Sequence, residues 1–212
     1  MSTPNLIRWS GAVCLLAGGL HIVGALLHPV GEDLAAVNSP NWVPAHLLYW
    51  ASVILLLFGL VGLSARQMEK TGMFGLVGFV LAFIGTAIVG AFLFYAATTM
   101  PLVATTAPNV FVQLTAPPAF ALPLFGLTFG LGFILFSIAT IRAHVLPRWS
   151  GWLLLIGILL SMAEGSPTDR TFLHMIVTAG HVLFGVSLAW MGYALWSEKR
   201  EPARAGQPAI PA

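Results

Sequence analysis

Charge is what this sequence has least of. Asp, Glu, Lys and Arg make up 8% of the 212 residues, against roughly a quarter in an ordinary soluble domain. A water-facing surface cannot be built from that supply. Cysteine is nearly absent as well: Cys14 stands alone, which excludes an intrachain disulfide and any multi-cysteine metal or redox motif. The formal net charge is only +2 and no basic patch is present, so nucleic acid is excluded as a partner.

Apolar sequence is what remains, with 58% of residues hydrophobic. It falls into uncharged runs at about 9–27, 42–63, 73–97, 120–141, 149–163 and 172–196. Most are long enough as helices to cross a hydrocarbon core of roughly 30 Å. The fifth is short, and Arg148 at its start is expected to snorkel to the interface. In lipid every backbone polar group needs an internal partner, and the alternation of a β-barrel is missing. The expected fold is all-α: a polytopic six-helix transmembrane bundle over 1–197, followed by a polar, proline-rich disordered tail over 198–212.

The cations set the orientation. With the N-terminus inside, Arg8, Arg66, Lys70, Arg142, Arg148, Lys199, Arg200 and Arg204 fall on the cytoplasmic side and only Arg170 falls outside. Both termini are then cytoplasmic, in a multi-pass protein of the cell inner (plasma) membrane. Arg8 and the apolar stretch after it also resemble a signal peptide, but a clear small-residue cleavage site is missing, and the segment is kept as a helix. Residues 98–119, with no charge, several threonines and four prolines, are expected as an outer loop, either a lid or a stiff linker.

Arg8-Trp9-Ser10-Gly11 recurs as Arg148-Trp149-Ser150-Gly151. A duplicated two-helix hairpin explains this; Arg-Trp as an ordinary interfacial anchor explains it equally simply. Gly126 with Gly130, and Gly75 with Gly78, are expected at close helix contacts.

Histidine carries the functional signal. His21, His28, His46, His174 and His181 belong to the outer half of this topology, leaving only His144 inside. His21 and His28 are seven apart, as are His174 and His181, which puts each pair on one helix face. Helical rise leaves room for His21 and His181 in one layer. A shallower layer then holds His28, His46 and His174 beside Glu32, Asp33, Glu164 and Asp169.

Ligand-capable residues inside spans are costly and usually face a bundle interior. One reading is haem b between His21 and His181, or between His28 and His174, with neighbouring glycines making room and Arg170 pairing with a propionate. A second is zinc or iron at the outer mouth, held by His28, His46 and His174 with Glu32, Asp33 or Asp169. Either cofactor points to membrane redox or metal-assisted chemistry without naming catalytic residues. The third reading is a non-catalytic accessory or pigment-binding subunit of a larger membrane complex, anchored by its belt of tryptophans. Proton-coupled transport is disfavoured, since the spans carry no acidic or basic residue.

Leu146-Pro147-Arg148-Trp149-Ser150-Gly151-Trp152, at the entrance to the fifth run, resembles a segment of uncharacterised bacterial six-helix membrane proteins. The resemblance is confined to one loop and helix start. It implies a multi-pass membrane protein and carries over no site residue.

Overall fold

The computed structural model describes residues 3–114, 120–163 and 170–198. These are helical throughout, with no strand among the described residues. The elements are α1 (Thr3–Leu27), α2 (Leu34–Val37), α3 (Trp42–Thr106), α4 (Pro108–Leu114), α5 (Ala121–Phe125), a π-helical segment (Gly126–Gly130), α6 (Leu131–Ala143), α7 (Arg148–Ser161) and α8 (Arg170–Ser197). Four helical stretches, Asn5–Leu27, Trp42–Thr106, Pro123–Ala143 and Thr171–Ser197, are long and apolar enough to cross a membrane; α7 is apolar but shorter. Large side chains such as Phe58, Met73, Phe92 and Trp149 stand exposed around the outside. An apolar surface this broad suits lipid rather than water.

At 65 residues a straight α3 would measure roughly 98 Å at about 1.5 Å per residue, far longer than any bilayer is thick. It is broken at Gly72, whose backbone has φ 55° and ψ −150°. Arg66, Glu69 and Lys70 precede the break, so the chain turns where charge keeps it out of hydrocarbon. The second arm then runs back along the first. Trp42 Nε1 donates to the Ala96 carbonyl at 2.8 Å, and a side chain at Gly90 would touch Val53 and Ile54. This φ/ψ region is open essentially to glycine alone. Gly72→Ala is therefore expected to lower stability by about 1–3 kcal/mol, measured by thermal unfolding in mild detergent.

The main packing order is α3 on α1, α1 on α8, α8 on α7, and the second arm of α3 on α6. A close seam joins α1 to α8, which run antiparallel. Gly18 faces the Gly185 carbonyl and Ala189, and Gly11 faces Gly192 and Leu195. Glycines seven residues apart on each helix thus meet their counterparts, as a seven-residue repeat requires for two helices that stay together. The core at this level holds Cys14, Leu56, Leu60, Phe133, Phe184, Leu188 and Met191. At the end remote from the site, the Arg8 guanidinium lies 4.4 Å from the centre of the Trp196 ring, and Arg66 pairs with Glu198.

Two sequence expectations change. The expected outer loop from Thr98 is helical through Thr106 and again over Pro108–Leu114, while residues 115–119 lie outside the described ones. Its threonines satisfy themselves within the helix: the hydroxyls of Thr98 and Thr106 donate to the carbonyls of Phe94 and Leu102, each at 2.7 Å. The close α3–α6 contact is made by Gly78, Gly85 and Gly132, against Phe136, Phe129 and Ala82 respectively. Gly75 faces its own helix at Thr71, Gly130 faces Met162, and a side chain at Gly126 would meet nothing. Gly78 thus makes the close contact expected of it, while the π-helical turn changes which side of the helix Gly126 and Gly130 face.

Candidate metal site

The α1–α8 seam that aligns the glycines also aligns the histidines. Continuing toward the α1 C-terminus, His21 meets His181, with Nε2 and Nδ1 3.1 Å apart. Seven residues further, the His28 ring lies 6.3 Å from that of His174. The first arm of α3 adds His46, Tyr49 and Ser52, which follow one another at three-residue intervals along the face toward α1.

Pro29 ends α1, because a residue preceding proline is disfavoured in helical conformation. His28 is left at the helix end, half-buried. Asp33 then caps α2, its carboxylate accepting from the Ala36 N–H at 3.0 Å. Beneath this corner Ala36, Val37, Trp42, Ala96, Met100, Ala104 and Phe111 form a small core that carries α2 and the start of α3. Trp42, fully buried, lies against His46 with ring centres 4.0 Å apart and planes tilted by 31°.

His28, Glu32 and His46 form a compact donor group, with one ligand atom from each all within 4.8 Å of one another. Both imidazoles are oriented for the purpose. His28 Nδ1 lies 2.8 Å from the Pro29 carbonyl and His46 Nδ1 lies 2.8 Å from the Trp42 carbonyl. A carbonyl only accepts, so in each neutral ring Nδ1 carries the proton and Nε2 keeps its lone pair. Backbone carbonyls that accept from the far ring nitrogen orient metal-bound histidines in this way.

His28 Nε2 lies 3.8 Å from Glu32 Oε1. At neutral pH this is not an ion pair. Burial, followed by the neighbouring His46, pushes His28 down to about 4, outweighing the Pro29 hydrogen bond. An uncharged imidazole beside a carboxylate is what a cation requires. A tetrahedral zinc with bonds of about 2.0–2.1 Å spaces its ligands by roughly 3.3 Å, so the three donors would have to draw together from their 4.8 Å spread to hold it.

Of the other residues expected here, Asp33 is occupied as a cap. His174 contacts Thr178 Oγ1 through Nε2 at 3.4 Å and stands beside the donor group rather than in it. Glu164 and Asp169 lie outside the described residues, as do the tail from 199 onward and the Arg170 side chain; the Arg170 backbone opens α8. His144 sits at the C-terminal end of α6 with φ 53°, away from the cluster.

The deeper layer does not fit haem. A haem between two imidazoles needs the flat macrocycle between their nitrogens. Those of His21 and His181 are in hydrogen-bond contact, and Gly18, Gly180 and Gly185 face the backbones of neighbouring helices instead of a cavity. His28 is the wrong partner for His174: its Nε2 faces Glu32, and the rings of His46, Trp42 and Tyr49 lie 4.9, 5.6 and 6.1 Å from its own. As helix glue alone the His21–His181 contact contributes only about 0.6 kcal/mol.

Sequence reasoning missed Trp42, Tyr49 and Ser52. Their signal was available, since Trp42, His46, Tyr49 and Ser52 share one helical face.

The fold and the site together define an all-helical protein with membrane-length apolar helices and a His/Glu donor group at one end of the bundle. Comparison with protein-family models, curated proteins and solved structures finds no match to this chain.

Proposed function

We propose that the protein is a metal-binding integral membrane protein whose centre is formed by His28, Glu32 and His46. The observation that carries this reading is the pair of backbone carbonyls that commit both Nδ1 atoms and leave both Nε2 lone pairs available, in a group with Glu32 that brings one ligand atom from each residue within 4.8 Å of the others. Two imidazoles and a carboxylate suit zinc, and equally suit iron(II) in a two-histidine, one-carboxylate arrangement. Three protein ligands leave a coordination position open. Such a centre polarises a ligand when it holds zinc and supports redox chemistry when it holds iron. His174 is the nearest further imidazole and completes the set where a fourth protein ligand is taken up.

The chain crosses the membrane six times in this reading, through α1, the two arms of α3, the stretch ending in α6, α7 and α8. Both termini are cytoplasmic in the inner membrane. Arg8, Arg66, Arg142 and Arg148 then lie at one end of the bundle and the metal centre opens at the other.

Metal analysis and an absorption spectrum of the detergent-purified full chain test the reading. One equivalent of zinc or iron per chain, with no Soret band, is expected. A Soret band would return the site to haem. A colourless, metal-free protein that takes up neither metal and purifies with other membrane subunits would replace the reading with an accessory role.

A further inference from the structure

Below the metal group lies a polar chain that the metal does not use. The Ser52 hydroxyl donates to the Ala17 carbonyl at 2.9 Å, and the same oxygen lies 3.4 Å from His21 Nδ1. With its one proton committed to the shorter contact, the Ser52 oxygen is an acceptor toward His21. Neutral His21 then carries its proton on Nδ1 and offers a lone pair at Nε2. Facing that lone pair at 3.1 Å is His181 Nδ1, which must therefore be the protonated nitrogen of its ring. One acceptor remains at the end of the chain: His181 Nε2, directed away from His21.

The surroundings hold this order in place. Tyr49 meets His21 edge-on at 4.7 Å between ring centres, and Phe184 lies 5.0 Å from it on another side. Ala17, His21 and Ser52 are all buried, so water does not compete for these contacts. The Tyr49 ring lies 5.4 Å from His181 and 6.1 Å from His28, and so joins the lower layer to the metal group.

We infer that Ser52 and His21 are positioning residues that fix His181 Nε2 as a hydrogen-bond acceptor, ready for a ligand presenting an O–H or N–H donor, such as water or an alcohol. The inference rests on the metal reading for where the ligand enters, but the polarity of the chain is independent of it. Ser52 decides that polarity. Without its oxygen, His21 is free to carry the proton on Nε2 and to donate to His181 Nδ1; His181 must then carry its own proton on Nε2 and becomes a donor.

Nitrogen NMR of the full chain in lipid nanodiscs, with 15N-labelled histidine and neutral buffer, reads each ring nitrogen as protonated or bare. His181 is expected with Nδ1 protonated and Nε2 bare. Ser52→Ala is expected to move the His181 Nε2 resonance into the protonated region, and Ser52→Thr to leave it bare. A merely structural serine would not reverse the tautomer of a residue on another helix. Protonated Nε2 in the unaltered protein, or a His181 tautomer indifferent to Ser52→Ala, would overturn the inference. Zinc added to the same sample is expected to shift the Nε2 signals of His28 and His46; if they do not move while the His181 pattern holds, the metal reading fails and the relay stands.

Discussion

Replacing His46 with alanine is expected to abolish metal retention, with an affinity loss of at least about 100-fold. Removing a group that merely orients a metal ligand already costs about 10–100-fold, and in the proposed centre His46 binds the metal itself. It is 2% exposed, held between the Trp42 ring and the Trp42 carbonyl. His28→Ala is expected to behave alike, whereas Glu32→Gln, at an exposed and flexible position, is expected to weaken binding and to leave some metal behind. Metal content after dialysis against a mild chelator gives the ranking. Equal retention in His46→Ala and the unaltered protein would place any bound metal elsewhere.

The second large effect is expected at the helix seam. Gly18→Val should lower stability by about 3 kcal/mol or more, at the upper end of what overpacking costs, because a Cβ there would lie 2.4 Å from the Gly185 carbonyl and 2.6 Å from the Ala189 nitrogen. Those are backbone atoms and cannot rotate away, so α1 and α8 must separate. Gly19 is the internal control. A Cβ at Gly19 meets nothing within 4 Å, so Gly19→Ala should be neutral or stabilising by up to about 1 kcal/mol through helix propensity. Thermal unfolding in one detergent compares the two, and a Gly18 variant as stable as the Gly19 variant would show that the seam is not closed as described. Separation at Gly18 lies one turn from His21, so the same substitution is expected to break the His21–His181 contact.

The histidine layers were legible in the sequence to an unusual degree. Seven-residue spacing put His21 with His28 and His174 with His181 on single faces, and helical rise left room for the two pairs to share layers. The spacing left the chemistry open, because two imidazoles at one depth serve a haem, a hydrogen bond or a metal equally well. The distance between α1 and α8 separated these outcomes, and that distance is fixed by which glycines meet. Gly18 opposite Gly185 brings the backbones so close that the deeper pair touches. Asp33 and Glu32, adjacent and chemically alike, were also indistinguishable until α2 formed and took Asp33 as its cap.

Scarce charge and long apolar runs determined from the sequence alone that helices would form, since a backbone in oil must satisfy its own polar groups. Only the tertiary structure decided that His28 turns its Nε2 toward Glu32 with His46 beside them, while His21 and His181 turn toward each other. Those orientations depend on carbonyls and hydroxyls supplied by neighbouring turns and helices, and one-dimensional spacing carries no record of where such an acceptor will lie.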